Sequence, residues 1–180
     1  MKATGIVRRI DELGRIVLPK EIRRTMKIRE GDPLEIFTDR DGEVIFKKYS
    51  PVGEMAAFSS QYAETLHRTC DMSVIICDRD YIISCGGVSK KEYLEKQVSG
   101  ELEELMESRN MYVFRADAEK IYPTRDHGEH FVSCAMPIVS EGDIIGCVAA
   151  LGDASKPHTS DATEQKLIMT AAAFLGKQNE

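Results

Sequence analysis

The sequence contains no apolar run long enough to cross a membrane. Its longest uninterrupted apolar stretches are short, as at residues 147–151, whereas a membrane-spanning helix needs about 20 residues. The N-terminus also lacks the apolar core of a signal peptide, because Arg8 and Arg9 interrupt it almost at once. Together these absences predict a chain that stays in the cytoplasm.

Cysteine patterns of the kind that stabilise small domains are missing as well. The number of cysteines, 5, is odd, no CxxC pair occurs, and all of them follow residue 69. In a chain without an export signal, this pattern predicts free, buried thiols rather than disulfides. The first fifty residues therefore have neither a disulfide nor an evident metal site to stabilise them.

Acidic side chains are scarce in one segment. Residues 1–29 carry nine basic and three acidic side chains, whereas residues 51–180 carry 12 basic and 21 acidic ones. The whole chain is 42% hydrophobic and 30% charged, which is typical of a globular protein and not of a disordered one. The uneven charge predicts two parts with different partners.

The patterns of turns and apolar residues divide the chain into residues 1–49, a linker at residues 50–54 and residues 55–180. A first part of this size rarely buries enough apolar area to fold alone. Neighbouring apolar residues such as Ile6 and Val7 also require cover on both faces of a strand. The simplest solution is a dimer with a shared core. Its predicted elements are strands at residues 5–10, 15–18, 34–38 and 43–49 and a helix at residues 20–28 that Pro19 opens.

The second part alternates helices and strands. A stripe of Met55, Phe58, Tyr62 and Leu66 predicts its first helix, and Ser89 fits a capping box that opens a helix to about residue 109. Residues 131–139 and 144–151 predict a hairpin, and residues 161–177 a last helix. This order indicates an α+β domain with an antiparallel sheet.

Basic side chains of the first part gather on one helical face. Lys20, Arg23, Arg24 and Lys27 lie three or four residues apart, so they share an arc of roughly 100°. The same spacing puts Ile22 and Met26 on the opposite, inner side of the helix. A solvated charged face is one interpretation. The other is nucleic-acid binding, with Arg8, Arg9 and Arg15 adding guanidinium groups that suit phosphate.

Residues 2–49 resemble the AbrB family of transition-state regulators. The segments GRIVLP at residues 14–19 and EIRRT at residues 21–25 both fall in register with that family. The resemblance implies a swapped-hairpin β-barrel dimer that binds double-stranded DNA. It also implies a GAF-like α/β sandwich in the second part, assembly into a homotetramer through that part, and a nucleoid-associated regulator of sporulation genes. The DNA-binding residues that it implies are Arg8, Arg9, Arg15, Arg23 and Arg24, together with Lys2, Lys20 and Lys27.

The second part leaves its role open between sensing a small-molecule effector and assembling the tetramer, because no motif names a ligand. Two enzyme-like alternatives also exist. His127, His130 and Cys134 could bind zinc, although their spacing matches no known metal signature. Cys85, Cys134 and Cys147 could serve a GAF-fold reductase, but each lies in an apolar run where a thiol behaves as a small hydrophobe. We therefore expect no enzyme, no cofactor and no metal.

A further alternative keeps DNA binding but changes its purpose. An antitoxin of the AbrB fold would repress its own operon and neutralise a toxin. Such antitoxins usually carry a short disordered toxin-binding tail, whereas the second part here is long and rich in helices and strands. That difference favours the transcription regulator.

Overall fold

Two units make up the chain, Met1–Tyr49 and Ser50–Glu180. The computed structural model describes residues 4–126, 128–156 and 158–178. No helix in those ranges is both long and apolar enough to span a bilayer.

The first unit contains helix α1 (Lys20–Thr25) and an antiparallel hairpin of β1 (Leu34–Thr38) and β2 (Val44–Lys48). The hairpin turn is held by Asp39, whose Oδ1 accepts hydrogen bonds from the backbone N–H groups of Asp41 and Glu43 at 3.1 and 3.0 Å. Gly42 within it has a φ of 81°, which glycine adopts without strain. This hairpin was predicted from the sequence and is confirmed.

The other two strands predicted for this unit are wrong for a single chain. Among the described residues, 5–10 and 15–18 are not part of any strand. Leu18 is half-buried but the other side chains of these segments are exposed, with Val7 84% and Val17 73% exposed. A strand needs a neighbour for its backbone hydrogen bonds and a core for its side chains, and one copy of the chain supplies neither here.

The second unit is built on one five-stranded antiparallel sheet of strand order β4-β3-β7-β6-β5. The predicted α+β class and the long hairpin are therefore confirmed. Its elements are α2 (Pro51–Glu54), α3 (Ala56–Cys70), β3 (Ser73–Asp78), β4 (Ile82–Gly86), α4 (Lys90–Tyr93), α5 (Gly100–Glu107), β5 (Tyr112–Val113), β6 (His130–Ser140), β7 (Asp143–Asp153) and α6 (Ala162–Lys177).

Both faces of this sheet are covered. On one face, Leu66 of α3 and Ile168 and Leu175 of α6 pack against β3 and β6. On the other face, Tyr93 of α4 and Leu102 of α5 pack against β3 and β7. The two buried clusters give this unit a core of its own.

The predicted linker is a short helix. Ser50 caps α2 by accepting a hydrogen bond from the Gly53 N–H at 3.0 Å, and Val52 is fully buried in the cluster beneath α3 and α6. Ser50 also donates a hydrogen bond to Asp78 at 2.8 Å. Residues 50–54 therefore pack as part of the second unit.

The single helix predicted from Ser89 to about residue 109 is also wrong. Within the described residues Ser89 makes no side-chain cap, and α4 ends at Tyr93. Glu95 then turns with a φ of 62°, and its N–H donates to the carbonyl of Ile82 at 2.9 Å. This long-range pairing with β4 interrupts the helix, and Ser99 caps α5 instead by accepting from the Leu102 N–H at 3.1 Å.

Candidate nucleic-acid interface

Helix α1 ends at Thr25 and not at the predicted residue 28, so it carries Lys20, Arg23 and Arg24 of the predicted basic face while Lys27 follows it. Lys20 and Arg24 are exposed, while Arg23 and Lys27 are half-buried. Ile22 is half-buried as expected for the inner side, but Met26 is 59% exposed. The prediction of an inner Met26 is therefore wrong for one copy of the chain.

The turn between the predicted strands is held by Asp11. Its Oδ1 accepts from the backbone N–H groups of Leu13 and Arg15 at 3.0 and 2.8 Å, and its Oδ2 accepts from Arg15 Nε at 2.8 Å. The Arg15 backbone N–H and guanidinium hold the pKa of the Asp11 carboxyl below its ordinary value. The guanidinium of Arg15 is thus oriented at the tip of the turn while it remains 70% exposed.

The other arginines of the predicted set are less constrained by acids. Arg8 and Arg9 lie in the extended segment before the turn and are exposed. Of the five predicted arginines, only Arg15 is in an ion pair within the part of the chain that the structure describes. Guanidinium groups without a carboxylate partner can bind phosphate oxygens without first breaking an ion pair. Lys2, the remaining member of the predicted set, lies outside the described residues.

Sequence analysis missed the residues that hold the end of α1. Lys48 of β2 donates a hydrogen bond from Nζ to the carbonyl of Lys27 at 3.1 Å. Its ammonium also lies 3.6 Å from Oδ2 of Asp32, whose side chain is only 5% exposed. The one sequence signal is a carboxylate between Gly31 and Pro33, a context that is also typical of the turn after a helix.

The second unit has an open cleft of about 500 Å³ where α3 and β7 end and β3 and α6 begin. Glu164 lines it and accepts a hydrogen bond from the Ser133 hydroxyl at 2.6 Å. His158 Nε2 lies 3.4 Å from the second oxygen of Glu164. The cleft therefore has polar groups in its lining and could admit a small molecule.

The thiols considered for a reductase are buried. Burial raises the pKa of the Cys134 thiol to about 12 and also raises the pKa of Cys85. A hydrogen bond with Cys147, together with burial, raises the pKa of Cys77 as well. Thiols with raised pKa are poor nucleophiles because little thiolate is present at neutral pH.

The considered zinc ligands do not converge among the described residues. His130 Nδ1 lies 3.2 Å from the Tyr93 hydroxyl, and Tyr93 belongs to the cluster beneath α4 and α5. Cys134 instead belongs to the cluster beneath α3 and α6. His127 lies outside the described residues.

Comparison with known proteins finds one relative that spans both units and others that match one unit alone. Residues 54–180 match the family described as stage V sporulation protein T C-terminal, transcription factor, and residues 7–54 match the family described as antidote-toxin recognition MazE, bacterial antitoxin. Stage V sporulation protein T of Bacillus subtilis is 52% identical over 181 residues, covering 100% of this chain and 99% of that protein. The transition state regulatory protein AbrB of the same organism is 61% identical over 51 residues, which cover 28% of this chain and 52% of that protein.

A solved structure extends the comparison to the fold of the second unit. The GAF domain of a phosphoenolpyruvate-protein phosphotransferase from Coxiella burnetii superposes with a TM-score of 0.53 at 15% identity, covering 68% of this chain and 80% of that one. At such low identity the likeness concerns the fold alone.

An AbrB-type recognition segment followed by a GAF fold defines a class of protein, the DNA-binding transcription regulators. Within that class the assignment is specific, because similarity to one relative spans both units. The chain belongs to the stage V sporulation protein T family.

Proposed function

We propose that two copies of the first unit form a swapped-hairpin β-barrel and that this dimer binds double-stranded DNA. The proposed contacts are Arg8, Arg9, Arg15, Arg23 and Arg24, with Lys2, Lys20 and Lys27 in supporting positions. The observation that carries the proposal is the set of arginines that extend from this unit, most of them without a carboxylate partner among the described residues.

The proposed dimer rests on the exposed apolar side chains of the same unit. Val7, Ile10 and Val17 are mostly in solvent in one copy, as are Ile36 and Val44 of the hairpin. A second copy would pair residues 5–10 and 15–18 as strands and bury these side chains. Dimerisation would also double the number of guanidinium groups that face DNA.

Phosphate contacts and sequence preference would then arise from different interactions. Arginine forks on phosphate oxygens supply affinity that falls with salt. Sequence preference would come from the shape and deformability of DNA, with at most a bidentate contact from arginine to guanine. With about 8 phosphate contacts per dimer, the slope of log affinity against log salt should be roughly −7.

For the second unit we propose assembly of two dimers into a tetramer and response to a small-molecule effector. Phe58 and Tyr62 of α3 and Phe174 of α6 form an aromatic cluster, with ring centroids 5.7 to 6.4 Å apart. Phe58 and Phe174 are partly exposed, so a second copy could pack on them. The cleft beside Glu164 offers a place for an effector, which would regulate only by binding two conformations with different affinity.

We further propose that the protein acts on sporulation genes in the cytoplasm, at the nucleoid, and that it is not an enzyme. The family description as a transcription factor supports this role. The decisive experiment is a genome-wide map of DNA bound by the full chain in cells entering sporulation. We expect enrichment at sporulation genes, and a map with no enriched locus anywhere in the genome would overturn the proposal.

A second candidate is an antitoxin that represses its own operon. The match of residues 7–54 to an antitoxin family favours it. The folded second unit argues against it, because its elements occupy the region where a disordered toxin-binding tail would be needed. Copurification of a stoichiometric toxin from the native host would favour the antitoxin role instead.

A further inference from the structure

Helix α1 depends on other parts of the first unit for its position. It has only six residues, all described, and none of them is fully buried. Isolated helices shorter than about 12 residues are marginal in water. A helix that presents arginines to DNA must nevertheless keep one orientation, so its support bears on binding.

The C-terminal end of α1 is shaped by a specific turn. The N–H of Ile28 donates to the carbonyl of Arg23 at 2.7 Å, and the N–H of Lys27 donates to the carbonyl of Arg24 at 3.3 Å. Lys27 has a φ of 51°, in the left-handed region where glycine is the usual residue at this position. The hydrogen bond from Lys48 Nζ to the Lys27 carbonyl connects this strained residue to strand β2.

Asp32 completes the connection. Its Oδ2 accepts from the Arg29 N–H at 2.8 Å and lies 3.6 Å from Lys48 Nζ. The Asp32 side chain is 5% exposed and that of Lys48 is 27% exposed. Because desolvation offsets much of the attraction in a buried ion pair, such a pair is better suited to fixing geometry than to raising stability.

We infer that Asp32 and Lys48 are positioning residues for DNA binding, which hold the end of α1 against the hairpin so that Arg23 and Arg24 face the phosphates. This inference rests on the proposed function of the first unit. Lys48 acts through the Lys27 carbonyl, and Asp32 acts through Lys48 and the backbone of Arg29.

The substitution Asp32→Asn tests this inference by whether it weakens or strengthens DNA binding. It removes a negative charge from the DNA-binding unit, so charge alone would tighten binding. An asparagine oxygen can still accept from the Arg29 N–H, yet it no longer balances the Lys48 ammonium. Positioning therefore predicts weaker binding, by about tenfold, of a labelled random-sequence duplex DNA to the full chain.

Lys48 is tested by its salt dependence. Lys48→Met should weaken binding about tenfold while leaving the salt slope unchanged, because no phosphate contact is lost. Lys48→Arg should restore most of the affinity, since a guanidinium can donate to the same carbonyl and carboxylate. Lys47→Met is the matched control: it removes the neighbouring charge of β2, whose ammonium lies over the Phe37 ring, and it should have the smaller effect on affinity.

Thermal unfolding of each variant checks that binding is measured on folded protein. If Lys48→Met does not fold, the DNA affinities of Asp32→Asn and Lys48→Arg test the inference instead. Two results would overturn the inference. One is that the Asp32→Asn variant binds DNA as tightly as the unsubstituted chain. The other is that Lys48→Met makes the slope of log affinity against log salt shallower. Arg23→Ala separates the two proposals. If Arg23→Ala weakens binding and Asp32→Asn does not, the positioning role alone is wrong; if Arg23→Ala also has no effect, the DNA-contact proposal fails.

Discussion

Gly176 in helix α6 lies directly against the carbonyl oxygen of Val139 in strand β6. A Cβ atom added at Gly176 would overlap that oxygen and would also lie 3.3 Å from the Val139 carbonyl carbon. The neighbouring atoms belong to the backbone of a paired strand, so they cannot rotate away. The absence of a side chain at Gly176 therefore sets the distance between α6 and the sheet.

The substitution Gly176→Ala should lower the free energy of unfolding of the second unit by about 1–3 kcal/mol through overpacking. Urea unfolding followed by circular dichroism measures this. Gly100→Ala is the matched control, because Gly100 opens α5 with no atom within 4 Å of an added Cβ, and it should gain up to about 1 kcal/mol from helix propensity. Equal stability of the two variants would show that α6 moves freely on the sheet.

Arg23→Ala and Arg24→Ala should each weaken DNA binding by about tenfold without unfolding the protein. Each substitution removes two phosphate contacts from the proposed dimer, so the salt slope should become shallower by about 2. Fluorescence anisotropy over a salt series measures both quantities. Arg115→Ala removes an exposed arginine from the second unit and should change neither. Unchanged affinity in a folded Arg23→Ala or Arg24→Ala variant would contradict the assigned contacts.

The turn at Asp11 should persist on acidification below the ordinary aspartate pKa of 3.8, because hydrogen bonds from Arg15 lower the pKa of Asp11. A lowered pKa in the folded state means that the contribution is present above 3.8 and is lost as the pH falls through the lower folded value. The amide chemical shift of Arg15, followed by NMR against pH, reports this. The transition should vanish in Asp11→Asn. A midpoint at or above 3.8 would show that the carboxylate is not engaged.

Thiol titration of the native protein should detect a single reactive cysteine. Cys70 is exposed, whereas Cys77, Cys85, Cys134 and Cys147 are buried. A disulfide reagent near neutral pH should therefore modify one thiol at once and the others only after denaturation. Rapid modification of Cys85, Cys134 or Cys147, located by mass spectrometry, would revive the reductase alternative.

Phe174→Glu should convert the proposed tetramer into a dimer, because a carboxylate in the aromatic cluster of α3 and α6 would lose its hydration on assembly. Sedimentation equilibrium of the full chain measures the mass. Tyr81→Glu is the control, since Tyr81 is a similarly exposed aromatic residue on another part of the unit, and it should leave the assembly unchanged. A tetramer that survives Phe174→Glu would place the interface elsewhere.

The sequence predicted those elements whose signals are local. Residues 140–143 combine turn formers between two apolar runs, so the hairpin of β6 and β7 was predictable. The last helix was predictable too, and Asp161 caps it by accepting from the N–H groups of Thr163 and Glu164 at 2.8 Å. Local patterns failed where distant backbone intervenes. Helical spacing continues past Leu94, yet pairing of Glu95 with Ile82 ends the helix there.

Part of the candidate DNA-binding set could be predicted because its sequence signals are local. The residues that support it were missed because they lie far apart in the sequence. Charge and helical spacing identify Arg23 and Arg24 without any structure. The support of α1 by Lys48 joins residues 21 positions apart, and a lysine in a basic segment gives no sign that it contacts a carbonyl rather than a phosphate. The strands predicted at residues 5–10 and 15–18 do not form in one copy of the chain, and under the proposed function a second copy would supply their partner.

The solvent-exposed valines of the first unit link its folding to the abundance of the chain. If Val7 and Val17, 84% and 73% exposed in one copy, are buried only against a second copy, then folding of this unit is a second-order reaction. Its midpoint of denaturation must then shift upward with protein concentration, whereas the second unit has a core of its own within one copy of the chain. A cell that makes few copies would then hold folded second units beside unassembled first units, so expression level would contribute to the threshold for gene control.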